Sequence, residues 1–262
     1  MGYTTITYTE KEHIAHIVLN RPYAGNSINQ QLAQELEEAC REINQDGAVY
    51  VVTITGAGNE AFCSGSEIEQ LLQSGSDVTD AYYSALARLN VAAAVASIDR
   101  PVLAAINGDA IVQGLELALS CDIRLAASGA RFGFPQVASG IIPMAGGTQR
   151  LPRLIGKGKA LELILTAETI SAEEALAIGL VSQVFPGEAL AAEVESLART
   201  MAEKAPISLR YVKEAVNKGM DLTLEQGLHL EADLYCLLQT TGDRTEGINA
   251  FLEKRSPQFK GE

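Results

Sequence analysis

The sequence predicts an α/β fold in which a core of strands and helices is followed by a helical C-terminal region. Short apolar runs rich in β-branched residues, such as 49–55 and 101–106, alternate with amphipathic stretches of helical period. From about residue 188 onward the apolar residues recur at helical spacing, with breaks at Pro206 and Gly219 and no linker before them. The length of 262 residues suits one large domain, or a core with a smaller appendage.

Composition excludes several classes of protein. The formal net charge is −13 and the sequence pI is about 4.7, which argues against a nucleic-acid partner. No apolar run reaches the roughly 18 residues that a membrane span needs, and the N-terminus lacks a signal-peptide pattern. The four cysteines and three histidines show no metal-ligand spacing. We therefore expect a cytoplasmic protein with reduced cysteines in its core, no metal and no membrane partner.

The elements follow from local patterns in chain order. The predicted strands lie at 3–10, 13–19, 49–55, 101–106, 122–126, 131–133 and 180–185. The predicted helices comprise one capped by Ser27 or Asn29 and ending near Asn44, one within 66–98, one after the turn at 107–108, one opened by a capping box at 171–174 and ended by Gly179, and those of the C-terminal region.

The glycine turn after the strand at 49–55 resembles two nucleotide-binding patterns, but neither fits. A dinucleotide fingerprint requires a helix running on from Gly56 and Gly58 and an acidic residue about 20 positions later, after a second strand. Here the chain instead enters a second turn at 62–65. A phosphate-binding loop also fails, because no lysine precedes Ser64 or Ser66.

One carboxylate stands out in the segment "INGDAIVQGLELALSCD" at 106–122. Glu116 is the only charged side chain between Asp109 and Asp122, and its helical neighbours at i±4 are Val112 and Ser120. No cation on the same helix can neutralise it, although a buried unpaired carboxylate costs several kcal/mol. Such a residue indicates a functional site.

Two segments of the chain share one layout, and the second of them contains Glu116. In "SGSEIEQLL" (64–72) and "VQGLELALS" (112–120), small residues follow a buried strand and open a helix. Backbone N–H groups at a helix start have no internal partner, so two facing starts can form an oxyanion hole for a carbonyl that gains negative charge. The spacing alone favours the other interpretation, in which the small residues only allow close packing.

Longer motifs resemble the successive signatures of the crotonase (enoyl-CoA hydratase/isomerase) superfamily. They are "AFCSGSEI", "NGDAIVQGLELALSCDIRLAA", "FGFPQVASGIIPMAGGTQRLPRLIG" and "AFLEKRSPQF", and the similarity extends from "VLNRP" at 18–22 to the C-terminus. The resemblance implies that residues 1–195 form a spiral core of ββα turns, and that this core contains the active site. It also implies a helical region at 196–262 for trimerisation and CoA contact, with trimers that usually pair into hexamers.

The resemblance assigns roles to individual residues. The amides of Ser66 and Gln113 are expected to form the oxyanion hole, and Glu116 matches the first of two catalytic glutamates. Its apolar setting should raise its pKa towards neutrality. Gln113 departs from the family pattern, which commonly has glycine there. The second catalytic position is occupied by Gln136, which can orient water but cannot act as an acid or base at physiological pH.

Further residues are expected to contact the acyl-CoA substrate. Those matching the substrate and CoA positions of the family are Ala24, Ser64, Gly65, Ser66, Glu67, Ile68, Gly114, Met144, Tyr235, Phe251 and Lys254. The last three align with residues that cover the adenine and phosphates, often from a neighbouring subunit. Leu71, Leu72 and Met144 are expected to line the acyl pocket. Coenzyme A is carried as part of the substrate, so we expect no separate cofactor.

Three functions are compatible with these residues. The favoured one is an enoyl-CoA hydratase of fatty acid metabolism with one catalytic glutamate, which interconverts a 2-enoyl-CoA and a 3-hydroxyacyl-CoA. The alternative is a Δ3–Δ2 enoyl-CoA isomerase or another one-base reaction of the superfamily. The third is a non-catalytic CoA-ester binder, against which Glu116 argues because a binder gains nothing from a costly carboxylate in an apolar site.

Overall fold

A computed structural model describes residues 2–67 and 89–262 of the chain, which form a mixed α/β structure with two sheets. The strands within these ranges are β1 (Ile6–Lys11), β2 (Ile14–Leu19), β3 (Val51–Gly56), β4 (Ala61–Cys63), β5 (Val102–Ile106), β6 (Asp109–Ile111), β7 (Ile123–Ala127), β8 (Arg131–Gly133), β9 (Thr169–Ser171) and β10 (Gln183–Phe185). The helices are α1 (Gln30–Gln45), α2 (Val91–Ala96), α3 (Gln113–Ser120), α4 (Gly147–Ile155), α5 (Lys157–Thr166), α6 (Ala172–Ala177), α7 (Gly187–Ala202), α8 (Pro206–Gly219), α9 (Leu224–Leu238) and α10 (Gly242–Glu253). Two 3-10 helices cover Pro22–Ala24 and Pro135–Ser139.

The chain alternates between the two sheets. The larger sheet has the order β1-β2-β3-β5-β7-β10, and only the β1–β2 pair in it is antiparallel. The smaller sheet has the order β4-β6-β8-β9, in which β4, β6 and β8 are parallel. A long strand, a short strand and a helix recur as β5-β6-α3 and β7-β8-α4. The expected core of ββα turns is therefore confirmed.

Several predictions are confirmed at the level of single residues. Asn29, and not Ser27, caps α1, because Asn29 Oδ1 accepts the Leu32 N–H at 2.8 Å. The capping box of α6 is present: the Ser171 side chain accepts the backbone N–H of Glu174, and the Glu174 side chain accepts the backbone N–H of Ser171. These signals were readable from sequence because a cap depends on residues three positions apart.

Other predictions are wrong in detail. The helix predicted after the turn at 107–108 is present as α3, but the unpredicted strand β6 lies between the turn and its start at Gln113. The three-residue strands β4, β6 and β9 were not predicted, because three residues are too few to show a period of two. Of the helix predicted within 66–98, the structure describes α2 at Val91–Ala96, and residues 68–88 lie outside the described ranges.

The first two helices of the C-terminal region, α7 and α8, contact the core. Helix α7 buries Leu190, Val194 and Ala198 against the larger sheet. The expected boundary between residues 195 and 196 falls inside this continuous helix, so the division into two regions stays a prediction. Helix α8 is fastened by Lys213, whose Nζ lies 2.8 Å from Asp122 Oδ2 and donates to the Arg100 carbonyl oxygen at 2.8 Å.

Three of the four cysteines lie in the core as expected. Cys40, Cys63 and Cys121 are buried free thiols, and burial raises the pKa of each to about 12. The expectation of a core position is wrong for Cys236, which is exposed on α9. Among the described helices, none combines the length and apolar character needed to cross a membrane.

Candidate active site

Three neighbouring strands of the smaller sheet bring the predicted site residues together. Cys63 pairs with Ala110, and Ile111 pairs with Gly133, so β4, β6 and β8 run side by side in parallel. The carboxyl ends of parallel strands meet at one edge of a sheet. The segments that follow these strands carry Ser66, Gln113 with Glu116, and Gln136, so the sheet places residues far apart in sequence at one edge.

Backbone pairing fixes the segment that carries Ser66. The Ile28 N–H donates to the Gly65 carbonyl oxygen at 2.7 Å, and the Glu67 N–H donates to the Ile28 carbonyl oxygen at 2.9 Å. Gly65 adopts φ +108°, which favours glycine, and an added Cβ would lie 3.0 Å from Val112 Cβ. The Ser66 N–H therefore projects towards the start of α3, where it donates to Gln113 Oε1 at 3.3 Å.

Glu67 is held by residues of its own chain. Its Oε1 lies 2.7 Å from Arg21 Nη1 and accepts the Ser27 hydroxyl at 2.7 Å. These contacts connect the segment carrying Ser66 to the loop before α1. They give Glu67 a positioning role, and its expected contact with substrate stays a prediction.

The start of α3 contains an unusual backbone conformation. Val112 adopts φ 58° and ψ −126°, a region that a β-branched residue rarely enters. Its N–H donates to the Gly133 carbonyl oxygen at 3.1 Å, and its own carbonyl oxygen accepts the Leu115 and Glu116 amides. The special angles thus fall on Val112, while Gln113 is the first helical residue. Position 113 therefore does not need glycine for its backbone conformation, so the Gln113 side chain is compatible with the expected role of its backbone amide.

Gly114 packs directly against β4. A Cβ at this position would lie 1.8 Å from the Cys63 carbonyl oxygen, closer than any real contact. The close approach explains why glycine is needed here, and the expected contact of Gly114 with substrate stays a prediction.

The Glu116 side chain is 0% exposed, and among the described residues only one of its two carboxylate oxygens has hydrogen-bond partners. Its Oε1 accepts the Ala145 N–H at 2.7 Å and the Gly147 N–H at 2.8 Å. Its Oε2 has no hydrogen-bond partner in the described part of the chain. Burial raises the pKa of Glu116, and the Gly147 and Ala145 amides, the positive charge of Arg150 and the Met144 amide offset only part of this effect. The direction of the predicted pKa shift is confirmed.

The residues that hold Glu116 were missed from the sequence. Ala145 and Gly147 flank the start of α4, and Arg150 Nη1 donates to the Ala145 carbonyl oxygen at 2.8 Å. Gly147 leaves room for the carboxylate, because a Cβ there would lie 3.0 Å from Glu116 Oε1. The available signal was the pair of glycines followed by arginine in "AGGTQR" at 145–150.

Gln136 lies in the 3-10 helix Pro135–Ser139 and is 5% exposed. Four buried side-chain atoms lack a hydrogen-bond partner among the described residues, and three of them are Ser66 Oγ, Glu116 Oε2 and Gln136 Oε1. Buried polar atoms are nearly always paired in folded proteins. Three exceptions at the ends of three neighbouring strands indicate a place where a polar ligand supplies the missing partners.

The remaining predicted contacts lie at the surface. Ala24 and Ser64 are exposed and adjacent, with the Ser64 hydroxyl 3.5 Å from the Ala24 carbonyl oxygen. Met144 is partly exposed beside Ala145. Tyr235, Phe251 and Lys254 are exposed on or just after α9 and α10, and no hydrogen bond or ion pair of the described residues joins them to the site. Ile68, Leu71 and Leu72 lie outside the described residues.

Comparisons with known proteins show the family of the chain. Residues 9–262 match the family model described as enoyl-CoA hydratase/isomerase. The chain is 40% identical over 259 residues to crotonyl-CoA hydratase of Syntrophomonas wolfei, covering 99% of both chains. It is 38% identical over 247 residues to the short-chain-enoyl-CoA hydratase of Clostridium acetobutylicum, covering 94% of both. The crystal structure of an enoyl-CoA hydratase from Bacillus anthracis superposes with a TM-score of 0.94 at 40% identity, over 99% of this chain and 100% of that one.

The family match and the hydratase names of these relatives identify an enzyme. The chain belongs to the enoyl-CoA hydratase/isomerase family, as its motifs predicted.

Proposed function

We propose that this protein hydrates a trans-2-enoyl-CoA to a 3-hydroxyacyl-CoA, and catalyses the reverse dehydration, with Glu116 as its single catalytic carboxylate. The observation that carries the proposal is the unpaired Glu116 Oε2 in a fully buried site. The hydratase names of relatives at about 40% identity support the reaction.

In the proposed reaction, the thioester oxygen accepts hydrogen bonds from the amides of Ser66 and Gln113. Negative charge develops on this oxygen when a nucleophile adds at C3 of the conjugated enoyl group. Fixed N–H donors stabilise such charge without reorganising during the reaction. The free amide at the start of α3 also lies at the positive end of the helix dipole.

Glu116 then has two tasks. Its Oε2 takes a proton from water as the water oxygen bonds to C3, which leaves an enolate whose oxygen lies in the hole. The protonated carboxyl returns a proton to C2, so the thioester is restored and the carboxylate is regenerated. A raised pKa suits a group that must both accept and donate a proton near neutral pH. Gln136 Oε1 would accept a hydrogen bond from the water and orient it.

A second candidate is the Δ3–Δ2 isomerase or another one-base reaction of the same family. The observation that favours it is Gln136, because an isomerase needs only one carboxylate to move a proton between C4 and C2. A non-catalytic CoA-ester binder is disfavoured, since the buried Glu116 would then serve no purpose.

Incubation with a panel of acyl-CoA thioesters in H₂¹⁸O distinguishes these reactions. Mass spectrometry should find ¹⁸O in the product if the enzyme hydrates, and a shifted double bond without ¹⁸O if it isomerises. Crotonyl-CoA is the first substrate to try, because the two relatives described above are named for crotonyl-CoA and short-chain enoyl-CoA. No reaction with any thioester would contradict both enzyme functions.

The proposal extends to the assembly. We infer a homo-oligomer built on trimers, in which exposed Tyr235, Phe251 and Lys254 cover the CoA moiety of a bound substrate. Coenzyme A enters as part of that substrate, and the proposed steps need no further cofactor. The cytoplasmic location and the link to fatty acid metabolism stay predictions.

A further inference from the structure

The side chain of Gln113 lies in the proposed oxyanion hole. It is 7% exposed, and its Oε1 accepts the Ser66 N–H at 3.3 Å. The same oxygen lies 3.1 Å from the position that a Cβ on Gly65 would occupy. The side chain is therefore folded back over the segment that carries Ser66, and it does not point away from the site.

Within 2–67 and 89–262, the acceptor of the Ser66 N–H has no competitor for that hydrogen bond. The amides on either side are already used, since Ser64 N–H donates to the Gly25 carbonyl oxygen and Glu67 N–H to the Ile28 carbonyl oxygen. Among the described residues, the acceptor of the Ser66 N–H is the Gln113 side chain. A side-chain amide oxygen and a thioester oxygen are both carbonyl acceptors, and the amide oxygen is the stronger of the two.

We propose that the side-chain oxygen of Gln113 occupies the oxyanion hole until the thioester oxygen of a substrate displaces it, so that Gln113 sets the affinity of the hole for thioesters. This inference rests on the proposed function, because it takes the Ser66 amide as one donor of that hole. The backbone N–H of Gln113 would then be one donor of the hole. Its side-chain oxygen would compete with the substrate for the other donor, the Ser66 N–H.

The competition has a measurable consequence. A ligand that must first displace an internal partner binds with an affinity reduced by the fraction of molecules in which the hole is free. One hydrogen bond of ordinary strength corresponds to roughly a threefold to tenfold reduction in affinity. The reduction applies only to ligands that place a carbonyl oxygen in the hole, so thioesters are affected and free coenzyme A is not.

The test compares two ligands and three proteins by isothermal titration calorimetry. Butyryl-CoA carries the thioester carbonyl but has no double bond to hydrate, and coenzyme A lacks the carbonyl. The proteins are the wild type, Gln113→Ala and Gln113→Met. Methionine keeps the approximate length of glutamine without its oxygen, so it separates loss of the hydrogen bond from loss of bulk, and it provides a second variant if alanine impairs folding.

Both variants should bind butyryl-CoA at least threefold more tightly than the wild type, with less than a 1.5-fold change for coenzyme A. The inference is overturned if neither variant gains affinity for butyryl-CoA, if coenzyme A gains equally, or if only alanine gains, because bulk and not the hydrogen bond would then be responsible.

An infrared measurement with ¹³C-carbonyl butyryl-CoA separates this inference from the proposed function. Hydrogen bonds in the hole polarise the carbonyl and lower its stretching frequency. A lowered frequency in the wild type, without tighter binding in the variants, refutes the role of Gln113 and leaves the oxyanion hole intact. An unshifted carbonyl band in all three proteins refutes the hole itself, and the inference with it.

Discussion

Glu116 Oε1 accepts the backbone N–H of Gly147, the first residue of α4, at 2.8 Å. With the Ala145 N–H at 2.7 Å on the same oxygen, one carboxylate oxygen is anchored, and the other has no hydrogen-bond partner among residues 2–67 and 89–262. The positive end of the α4 dipole favours the charged form, while burial opposes it. The two amide hydrogen bonds orient Glu116, and in the proposed reaction Oε2 exchanges a proton with water and substrate.

Replacing Glu116 by glutamine should abolish turnover while the fold and ligand binding persist. The amide oxygen of Gln can still accept both backbone N–H groups, but the side chain cannot transfer a proton. We expect kcat to fall by about 10²–10⁴, with the affinity for butyryl-CoA close to that of the wild type. Steady-state assays and calorimetry measure the two quantities.

The matched control is Glu35→Gln, at a second buried glutamate. Glu35 accepts hydrogen bonds from Thr4 and Thr5 at the start of β1, away from the site. Its replacement should lower thermal stability and leave kcat largely unchanged. Normal turnover in Glu116→Gln would contradict the catalytic assignment.

Gln136→Glu should raise the rate of crotonyl-CoA hydration by at least about tenfold, equivalent to roughly 1.4 kcal/mol in the barrier. The change provides a second acid without changing side-chain length. Two close carboxylates also push one pKa upward, which suits an acid. Gln183→Glu, at an exposed glutamine on β10, controls for the added charge. Loss of activity on every thioester in Gln136→Glu would instead favour a one-base isomerase.

Arg150→Met should move the acidic limb of the pH–rate profile upward. The charge of Arg150 lowers the pKa of Glu116, so its removal raises that pKa further above the usual carboxyl range. Glu116 then becomes a carboxylate only at higher pH, and kcat/KM for hydration falls at the acidic end. The control is Arg153→Met, because Arg153 lies on the same helix and is largely exposed. Identical acidic limbs in the two variants would show that Arg150 does not act on Glu116.

Alanine substitutions at two helical glycines should change the free energy of unfolding in opposite directions. In Gly114→Ala the Cβ would lie 1.8 Å from the Cys63 carbonyl oxygen, so backbone must shift, and we expect destabilisation of about 3 kcal/mol or more. Nothing lies within 4 Å of the corresponding Cβ at Gly158 on α5. Gly158→Ala should therefore stabilise the protein by about 0.4–1 kcal/mol. Urea unfolding followed by circular dichroism tests both, and equal stabilities would contradict the packing described for Gly114.

Light scattering coupled to gel filtration should give a mass that is a multiple of three times 27.9 kDa. Val212, Val216 and Leu228 on α8 and α9 are more than half exposed in one chain. Such apolar surface is typical of a face covered by another protein. Val216→Glu should lower the mass by placing a charge in the interface. A clean monomer of the wild-type protein at micromolar concentration would contradict the trimer.

The sequence by itself determined the features that depend on neighbouring residues. A cap for α1 at Ser27 or Asn29, the capping box at 171–174 and the strand at 13–19 rest on periodicity or on residues three positions apart. Glu116 was also identifiable, because a lone carboxylate in an apolar run is anomalous in any fold that buries the run.

Only the tertiary structure decided which groups surround Glu116. Its backbone partners are 29 and 31 residues away, and Gln113 reaches Ser66 across 47 residues. These contacts depend on the pairing of three-residue strands, which carry no periodic signal. They also depend on the positive φ of Val112, which its side chain disfavours and which hydrogen bonds from neighbouring segments impose. Local propensity cannot specify contacts of this kind, because their free energy exists only once the remote segments are packed together.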